Sequence, residues 1–407
     1  MPRAGWVKPE SDRRLSDVVS VGVLTRVFAP ELVDEVIAQV GRTEVRHRSL
    51  PARVMAYFSI GMALYSQGSY EDVYAQLTDG LSWASRWQES YSPPSKSAIF
   101  QARVRLGSEP VAALFARVAA PVGRPDTAGG WLAGRRLVAI DGMCVDVADS
   151  PANDEYFGRA GVSKGEKAAF PMARVVALAE CGTHAIFAAS VGTYKQSEAE
   201  LSESLLTHLD QSMLLIADRG FFSYALWRKA AQSGADLLWR ARTDRGAPTP
   251  RHVKDLPDGS WLADLQQTHS AQARRTDPIR VRVIDYTIDD GREHPDTYRL
   301  FTTILDPDEA GAIELAAAYG CRWEIEVAFD ELKTHQRGPR TVLRSKSPDL
   351  VLQEIWGHLC CHFAIRSLMA DTAAHTGHDP QRLSFVAALR ITRQSIAHQG
   401  DFSPSRP

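Results

Sequence analysis

The chain contains 407 residues, of which 44% are hydrophobic, and its formal net charge is −2 at pH 7. This length predicts more than one hydrophobic core, and the longest apolar run, residues 54–65, is too short to span a membrane. The charge excludes a strongly basic protein, so a surface for a polyanion must come from local segregation of charge. Five cysteines without a Cys-x2-Cys pair, and the lack of a secretory-signal pattern, favour a bacterial-type cytoplasm.

Residues 1–130 are predicted to form an all-helical N-terminal domain that closes on a glycine-rich linker. PELVDEVIAQVGR, VMAYFSIGMALY and YEDVYAQLTDGL carry apolar residues at helical spacing. A further helix is predicted between the potential cap Ser95 and Gly107. Its exposed side chains would suit contacts with phosphates and base edges: Lys96, Gln101, Arg103 and Arg105. With the preceding helix it predicts a helix-turn-helix, or equally a small bundle with a basic surface helix.

Residues 131–242 alternate between strand and helix patterns. Three strands, a helix, a strand, a helix and a strand follow one another, which is the order of a ribonuclease-H-like core. RRLVAIDGM and MLLIADRGF are two of the strands, and each runs into an acid, Asp141 and Asp218. An unpaired carboxylate on a buried strand is costly, and ligands collect at strand ends in α/β sheets. A loop cap is the alternative for either acid alone. The first and fourth strands of this fold are neighbours, so we expect the two acids to meet.

Residues 243–304 are predicted to be a β-rich insertion in that core. IRVRVIDYTI alternates apolar and polar residues, a turn-rich DDGREHPDT follows, and YRLFTTIL returns as a strand. Trp239 and Trp261 are candidates for stacking on an unpaired base, a contact worth about 1–3 kcal/mol. Packing in the core is the competing interpretation for both tryptophans.

A helical run, YGCRWEIEVAFDELK, carries the most informative spacing in the chain. On a regular helix its polar residues would lie within about 60° of one another: Tyr319, Arg322, Glu326 and Lys333. An apolar stripe on the adjoining side would anchor the helix. A carboxylate flanked by cations suits a metal bound beside phosphate, whereas a solvated face with ion pairs is the alternative. The helix belongs to the second part of the core, 305–370, and 371–407 is predicted as a helical tail.

Several other residues compete for a place in the site. Asp146 would face the opposite side of its strand from Asp141 unless the strand bulges. Asp330 lies one turn beyond Glu326 and could partner or replace it, whereas Glu331 points elsewhere. A zinc site is not favoured because the spacing of its potential ligands fits no standard pattern: His358, Cys360, Cys361 and His362.

The combined motifs resemble the DDE transposases of the insertion sequence 4 family. The resemblance rests on the Tyr-x2-Arg-x3-Glu-x6-Lys spacing, on AIDG around Asp141 and on ADRGF around Asp218, and it extends over residues 20–395. It implies that Asp141, Asp218 and Glu326 hold two Mg²⁺ ions, with Mn²⁺ as a substitute. It also implies that Tyr319, Arg322 and Lys333 contact the transposon end, and that the insertion holds the DNA end and shapes hairpin formation.

The same resemblance implies a cut-and-paste transposase, nucleoid-associated, acting as a homodimer on the terminal inverted repeats and on target DNA. Two basic runs adjoin the proposed acids: six Lys or Arg between Arg219 and Arg245, and five from Lys333 to Lys346 with no acid among them. Each run could also be an ordinary solvated surface. A catalytically silent DNA-binding protein and a nuclease without strand transfer remain alternatives. The chain ends at GDFSPSRP without the basic tail that the resemblance leads us to expect, which indicates a truncated element.

Overall fold

The structure is a computed structural model that describes residues 21–45, 49–82, 93–161, 168–242, 249–266, 278–287, 297–339 and 341–397. Arg245, Arg340, residues 289–296 of the predicted turn and the chain end from residue 398 lie outside these ranges. Within them, no helix has both the length and the apolar character that a membrane span requires.

The described strands join into one ten-stranded mixed sheet. They are β1 (Trp131–Leu132), β2 (Arg135–Asp146), β3 (Met172–Glu180), β4 (Ile186–Thr193), β5 (Met213–Ala217), β6 (Asp236–Arg240), β7 (Arg251–Asp255), β8 (Trp261–Leu265), β9 (Ile279–Thr287) and β10 (Thr297–Thr302). Their order is β4-β3-β2-β5-β6-β10-β9-β8-β7, with β1 paired to β2. β2, β5 and β6 are parallel, and β3 and β4 are antiparallel to their neighbours. This mixed sheet fits the predicted ribonuclease-H-like core.

Helices cover both faces of the sheet. In the described residues they are α1 (Pro30–Gln39), α2 (Ala52–Leu64), α3 (Tyr70–Ser82), α4 (Lys96–Leu106), α5 (Glu109–Val118), α6 (Pro151–Phe157), α7 (Glu198–Ser202), α8 (Tyr224–Ala231), α9 (Ala312–Gly320), α10 (Trp323–Asp330), α11 (Pro348–Thr376) and α12 (Phe385–Ala397). In β2, Val138 and Ile140 point toward α7 and α8, while Leu137 and Ala139 belong to the core on the other face. The strand is apolar on both sides because both of its faces are covered.

The described residues between 21 and 118 that form regular structure are helical. The apolar run at residues 54–65 is α2, and it is almost entirely buried against α11. The N-terminal helices share one hydrophobic core with α11 and α12 from the far end of the chain. Their action as a separate DNA-binding domain stays a prediction, as do the other domain boundaries.

The predicted insertion is β-rich, and it continues the core sheet. β10 pairs with β6 through Phe301 and Trp239, and β9, β8 and β7 follow outward. β9 and β10 are the two strands that the alternation predicts. β7 and β8 were not predicted, because β7 is short and its side chains are exposed, which leaves no apolar alternation in the sequence.

Candidate active site

Asp141 lies inside β2, and the prediction that it follows the end of its strand was wrong. Antiparallel pairing with β3 continues from Asp141 to Asp146. The parallel partner β5, however, ends at Ala217, which pairs with Ile140. Asp141 is therefore the first residue of β2 beyond the end of β5, and this position leaves its carboxylate accessible although the strand continues.

The Asp141 carboxylate has little compensation for its burial. It accepts one hydrogen bond at 2.7 Å, from the backbone N–H of Gly142. Burial raises the pKa of Asp141 to about 6, and the negative charges of Glu198 and Glu326 add to the shift against the opposing charge of Arg322. A carboxylate in this condition is stabilised by an added positive charge.

Asp218 follows directly after β5, as predicted. The Tyr319 hydroxyl lies 3.2 Å from its Oδ1 and donates to it. Tyr319 is buried, and burial, together with the charge of Asp218, raises the pKa of its phenol. The phenol therefore keeps its proton and orients the Asp218 carboxylate from the side of α9.

Arg322 connects Glu326 to Asp141. Its guanidinium donates to Glu326 Oε1 at 2.8 Å and lies 3.5 Å from Asp141 Oδ2. Burial opposes its charge, but the hydrogen bond to Glu326 leaves the pKa of Arg322 raised. The guanidinium also lies over the ring of Trp323 at 4.6 Å, and Trp323 is 58% exposed. Arg322 thus joins Glu326 to Asp141, and Tyr319, three residues before it, contacts Asp218.

The prediction of one regular helix from Tyr319 to Lys333 was wrong in its geometry. α9 ends at Gly320, α10 begins at Trp323, and a π-helical turn, Glu331–Gln336, follows α10. Glycine at the end of α9 weakens the helix there, and π turns recur at functional sites. Lys333 lies in this π-helical turn, where burial lowers its pKa while the charge of Asp141 opposes the shift. The four residues therefore come from α9, the start and body of α10, and the π-helical turn. We call the side of α10 that carries Arg322 and Glu326 and faces Asp141 the cleft side.

The three carboxylates have the donor chemistry of a divalent-cation site. Hard cations such as Mg²⁺ prefer carboxylate oxygens, and burial disfavours the charged form of the Asp141 carboxylate. In the part of the chain that is described, no three acidic, histidine or cysteine side chains lie close enough to enclose an ion. Arg322 stands between two of the acids instead and supplies their countercharge.

Comparison with known proteins decides the family. The family models "Insertion element 4 transposase N-terminal" and "Transposase DDE domain" match residues 18–116 and 132–364. The transposase InsG of insertion element IS4 from Escherichia coli K12 is 31% identical over 383 residues, or 93% of this chain and 83% of that protein. The chain belongs to the insertion sequence 4 family of DDE transposases. It is thus a protein of DNA transposition, from a family whose catalytic domains use divalent metal ions.

Two further similarities are more distant. The putative transposase InsZ of Escherichia coli K12 is 26% identical over 239 residues, which are 59% of this chain and 77% of that protein. A piggyBac transposase synaptic complex with hairpin DNA, solved by cryo-electron microscopy, superposes with a TM-score of 0.47 at 10% identity, over 94% of this chain and 82% of that one.

The transposase does not present Arg103 to DNA, and that prediction was wrong. Arg103 is 0% exposed and bonds to Gln353 at 2.8 Å, to Tyr70, to Ser345 and to the Leu350 carbonyl. The helical spacing shows that Arg103 shares a face with other residues of α4, but it does not show that α11 covers this face. Lys96 and Gln101 are exposed as expected, whereas Arg105 is partly buried and its guanidinium donates to the Leu50 carbonyl at 3.4 Å.

Part of the second basic run of the transposase serves its own fold. Arg337 is buried and donates to the Thr341 carbonyl, and Arg344 donates to the Gly68 and Ser66 carbonyls. Lys346 is exposed, and Arg340 lies outside the described residues. In the first run Arg219 is exposed and Arg228 lies on the exposed side of α8. Arg240 covers the Tyr298 ring at 4.1 Å.

The competing residues do not join the three acids. β2 pairs without interruption from Asp141 to Asp146, so no bulge turns Asp146 toward the site. Asp330 is exposed and bonds to Thr334 at 2.6 Å. Glu331 points elsewhere, as predicted, into a buried group of polar residues. His358, Cys360, Cys361 and His362 are buried in α11, and no metal cluster forms there among the described residues. Trp239 packs in the core against Trp227 at 5.2 Å, and Trp261 stacks on His252.

Sequence reasoning missed three features that adjoin the site of the transposase. Glu198 at the start of α7 lies so close to Gly142 that a Cβ there would stand 2.6 Å from its Oε1. Trp323 is an exposed aromatic one residue from Arg322. Tyr286 and Tyr298 stack at 5.2 Å, and Tyr298 lies 6.4 Å from Tyr319. The glycine after Asp141 was the one available signal for the first, and nothing in the local pattern marks the others.

Proposed function

We propose that this transposase cleaves and joins DNA strands at the ends of its own insertion element, by a cut-and-paste reaction that needs a divalent metal. The observation that carries the proposal is the linkage of Asp141, Asp218 and Glu326 through Arg322 and Tyr319 at the end of β5. The three acids lie far apart in sequence, so local structure does not account for their linkage, and we take it as support for a common role in catalysis. A phosphodiester is the substrate that suits acids interleaved with cations.

Asp141, Asp218 and Glu326 would hold Mg²⁺ ions, most simply two, with Mn²⁺ as a substitute. Such ions, when bound, activate the attacking oxygen and stabilise charge on the leaving oxygen. Arg322 and Lys333 would neutralise the phosphate oxygens, and Tyr319 keeps Asp218 oriented. In the first step water forms a bond to phosphorus and the bond to the 3′ oxygen breaks, which leaves a 3′ hydroxyl and a 5′ phosphate. The 3′ hydroxyl then attacks the opposite strand or the target in the same way.

The DNA end would approach over the β-rich insertion. Tyr286, Tyr298 and Tyr319 form an aromatic row from β9 to the site, and the Arg240 guanidinium covers Tyr298 at 4.1 Å. Aromatic rings beside cations suit stacking with unpaired bases and contact with phosphate. Trp323, which is exposed and lies beside Arg322, offers a further ring. These residues replace Trp239 as the stacking candidates.

The partners would be the terminal inverted repeats and target DNA, bound by a homodimer in a synaptic complex within the bacterial cytoplasm and nucleoid. Lys96 and Gln101 on α4 stay candidates for contacts to the repeat. Their exposure is compatible with this role.

The decisive experiment incubates the full chain with a duplex that carries the element's own end and flanking DNA, in Mg²⁺ or in EDTA. Asp141→Ala and Glu326→Gln are the matched variants, and denaturing gels detect nicking. We expect nicking at the element boundary that needs metal and is lost in both variants. Binding without cleavage under any metal would favour the silent DNA-binding protein. Cleavage without joined products would favour the nuclease.

A further inference from the structure

A buried polar network lies behind α10, on the side away from the cleft. We name it the Glu331 network, and its members are His184, Glu324, Glu331, His362 and Arg366. Arg366 donates through Nε to Glu331 Oε2 at 2.8 Å and through a second nitrogen to Glu331 Oε1. His362 Nε2 lies 3.1 Å from the same carboxylate. All members except Glu324 are at least nine-tenths buried.

The network continues through His184 to Glu324. The second Arg366 nitrogen also lies 2.7 Å from His184 Nδ1, and His184 Nε2 lies 2.6 Å from Glu324 Oε2. Because a guanidinium only donates, Nδ1 must accept, and the ring proton lies on Nε2 and is donated to Glu324. Burial lowers the pKa of His184, but the hydrogen bond to Glu324 leaves the net shift upward.

The Glu331 network holds α10 by contacts at both of its ends. Glu324 belongs to its first turn, and Glu331 is the first residue beyond its last. Glu324 is two residues from Glu326 and so points about 200° away from it around the helix. These contacts therefore lie on the face of α10 opposite Glu326 and at the start of the π-helical turn that carries Lys333.

The groups that hold Glu324 and Glu331 come from elements of the fold other than α10. Arg366 and His362 come from the middle of the long helix α11. His184 lies in the turn between β3 and β4 with a backbone φ of +58°, which is unfavourable for a residue with a side chain. Such a conformation persists where surrounding contacts hold it, and here Arg366 and Glu324 hold both ring nitrogens. The network thus ties α10 to the sheet and to α11 at once.

We propose that the Glu331 network sets the orientation of α10 so that Glu326 and Arg322 face Asp141, with Glu324 and His184 as positioning residues. The catalytic consequence rests on the proposed function, whereas the restraint on α10 does not. Glu324 is the member to vary, because it lies at the open end of the network and its loss leaves the Glu331–Arg366 pair intact.

The test compares the full chain with Glu324→Ala, Glu324→Gln and Glu203→Ala. Gln keeps an oxygen that accepts from His184, and Glu203 forms an exposed pair with Lys229 of α8 at 2.7 Å. Hydrogen exchange by mass spectrometry reports the restraint. We expect exchange of the α10 amides to rise about tenfold in Glu324→Ala and to stay at the wild-type rate in the other two variants. The α8 amides of Glu324→Ala should also exchange at the wild-type rate.

A second measurement follows cleavage and DNA affinity. We expect Glu324→Ala to cleave the element end about tenfold more slowly, with unchanged affinity for the duplex and unchanged Tm, and Glu324→Gln to match the wild type. Unchanged exchange in α10 overturns the inference, and so does raised exchange with normal cleavage. If the wild-type chain cleaves no DNA, the proposed function fails, and the exchange result still decides whether the network restrains α10.

Discussion

The carboxylates on the two sides of α10 have pKa values shifted in opposite directions. On the cleft side burial raises the pKa of Asp141, and one guanidinium serves both Asp141 and Glu326. On the back, burial by itself would raise the pKa of Glu331, but the hydrogen bond from His362 and the charge of Arg366 lower it instead. Burial outweighs the stabilising partners of Asp141, whereas the partners of Glu331 outweigh its burial and leave that carboxylate satisfied.

The largest effect that tests this comparison is on the satisfied side. We expect Glu331→Ala to lower the free energy of unfolding by about 3–5 kcal/mol, because Arg366 would stay buried without its partner. Urea unfolding followed by circular dichroism measures it. Glu155→Ala, at an exposed position of α6, is the control and should match the wild type within about 0.5 kcal/mol. A Glu331→Ala chain as stable as the wild type would mean that the network does not hold the fold.

Replacing Asp141 should change the free energy of unfolding in the opposite direction, because its carboxylate is destabilised by burial. Its pKa is raised from 3.8 to about 6, so the folded state binds the proton more tightly than the unfolded chain. The stability from this group is complete below the unfolded pKa and is lost as pH rises through the folded pKa. We therefore expect Asp141→Asn, in EDTA, to exceed the wild type by about 2 kcal/mol at pH 8 and to match it near pH 4.

Urea unfolding at both pH values, beside Asp371→Asn on an exposed part of α11, measures this difference. The control should show no pH-dependent gain. A stability difference between Asp141→Asn and the wild type that stays constant across the pH range would show that the pKa of Asp141 is not raised in the folded state. Mg²⁺ should narrow the gap at pH 8, because a bound cation compensates the wild-type carboxylate.

Gly142→Ala sharpens the comparison at its closest contact. The added Cβ would stand 2.6 Å from Glu198 Oε1, so Glu198 must move and its 3.2 Å pair with Arg174 must change. We expect a loss of about 1 kcal/mol in stability. If Glu198 moves away from Asp141, its negative charge should raise the pKa of Asp141 less. The stability of Gly142→Ala should therefore depend less on pH than the stability of the wild type does. The same pair of urea titrations tests both, and a wild-type pH dependence in Gly142→Ala would show that Glu198 does not act on Asp141.

The smallest effect concerns Lys333 and the DNA phosphates. We expect Lys333→Ala to weaken binding to the element's end and to reduce the slope of log affinity against log salt by about one. Fluorescence anisotropy at several salt concentrations measures this slope. Arg382→Ala, at an exposed position between α11 and α12, should keep the wild-type slope. An unchanged slope for Lys333→Ala would remove Lys333 from the DNA contacts.

Two expectations from local pattern agree with the structure: the succession of the core strands and the burial of α2. The strand order of the core follows from apolar alternation and length, and the burial of α2 follows from its uniformly apolar composition. Arg103 shows the limit of such reasoning. Lys96 and Gln101 of the same helix are exposed, yet Gln353 and Leu350 of α11, some 250 residues later in the chain, bury the Arg103 guanidinium.

The sequence by itself singled out Asp141, Asp218 and Glu326 as candidate site residues, because the strand pattern before the two aspartates and the spacing around Glu326 are local properties of the chain. Only the tertiary structure decided how they are held. The break between α9 and α10, the π-helical turn and the Glu331 network depend on α11 and on the turn at His184. A periodic pattern shows which side of a helix is apolar or polar, but the partner that covers that side is set by packing between segments distant in sequence.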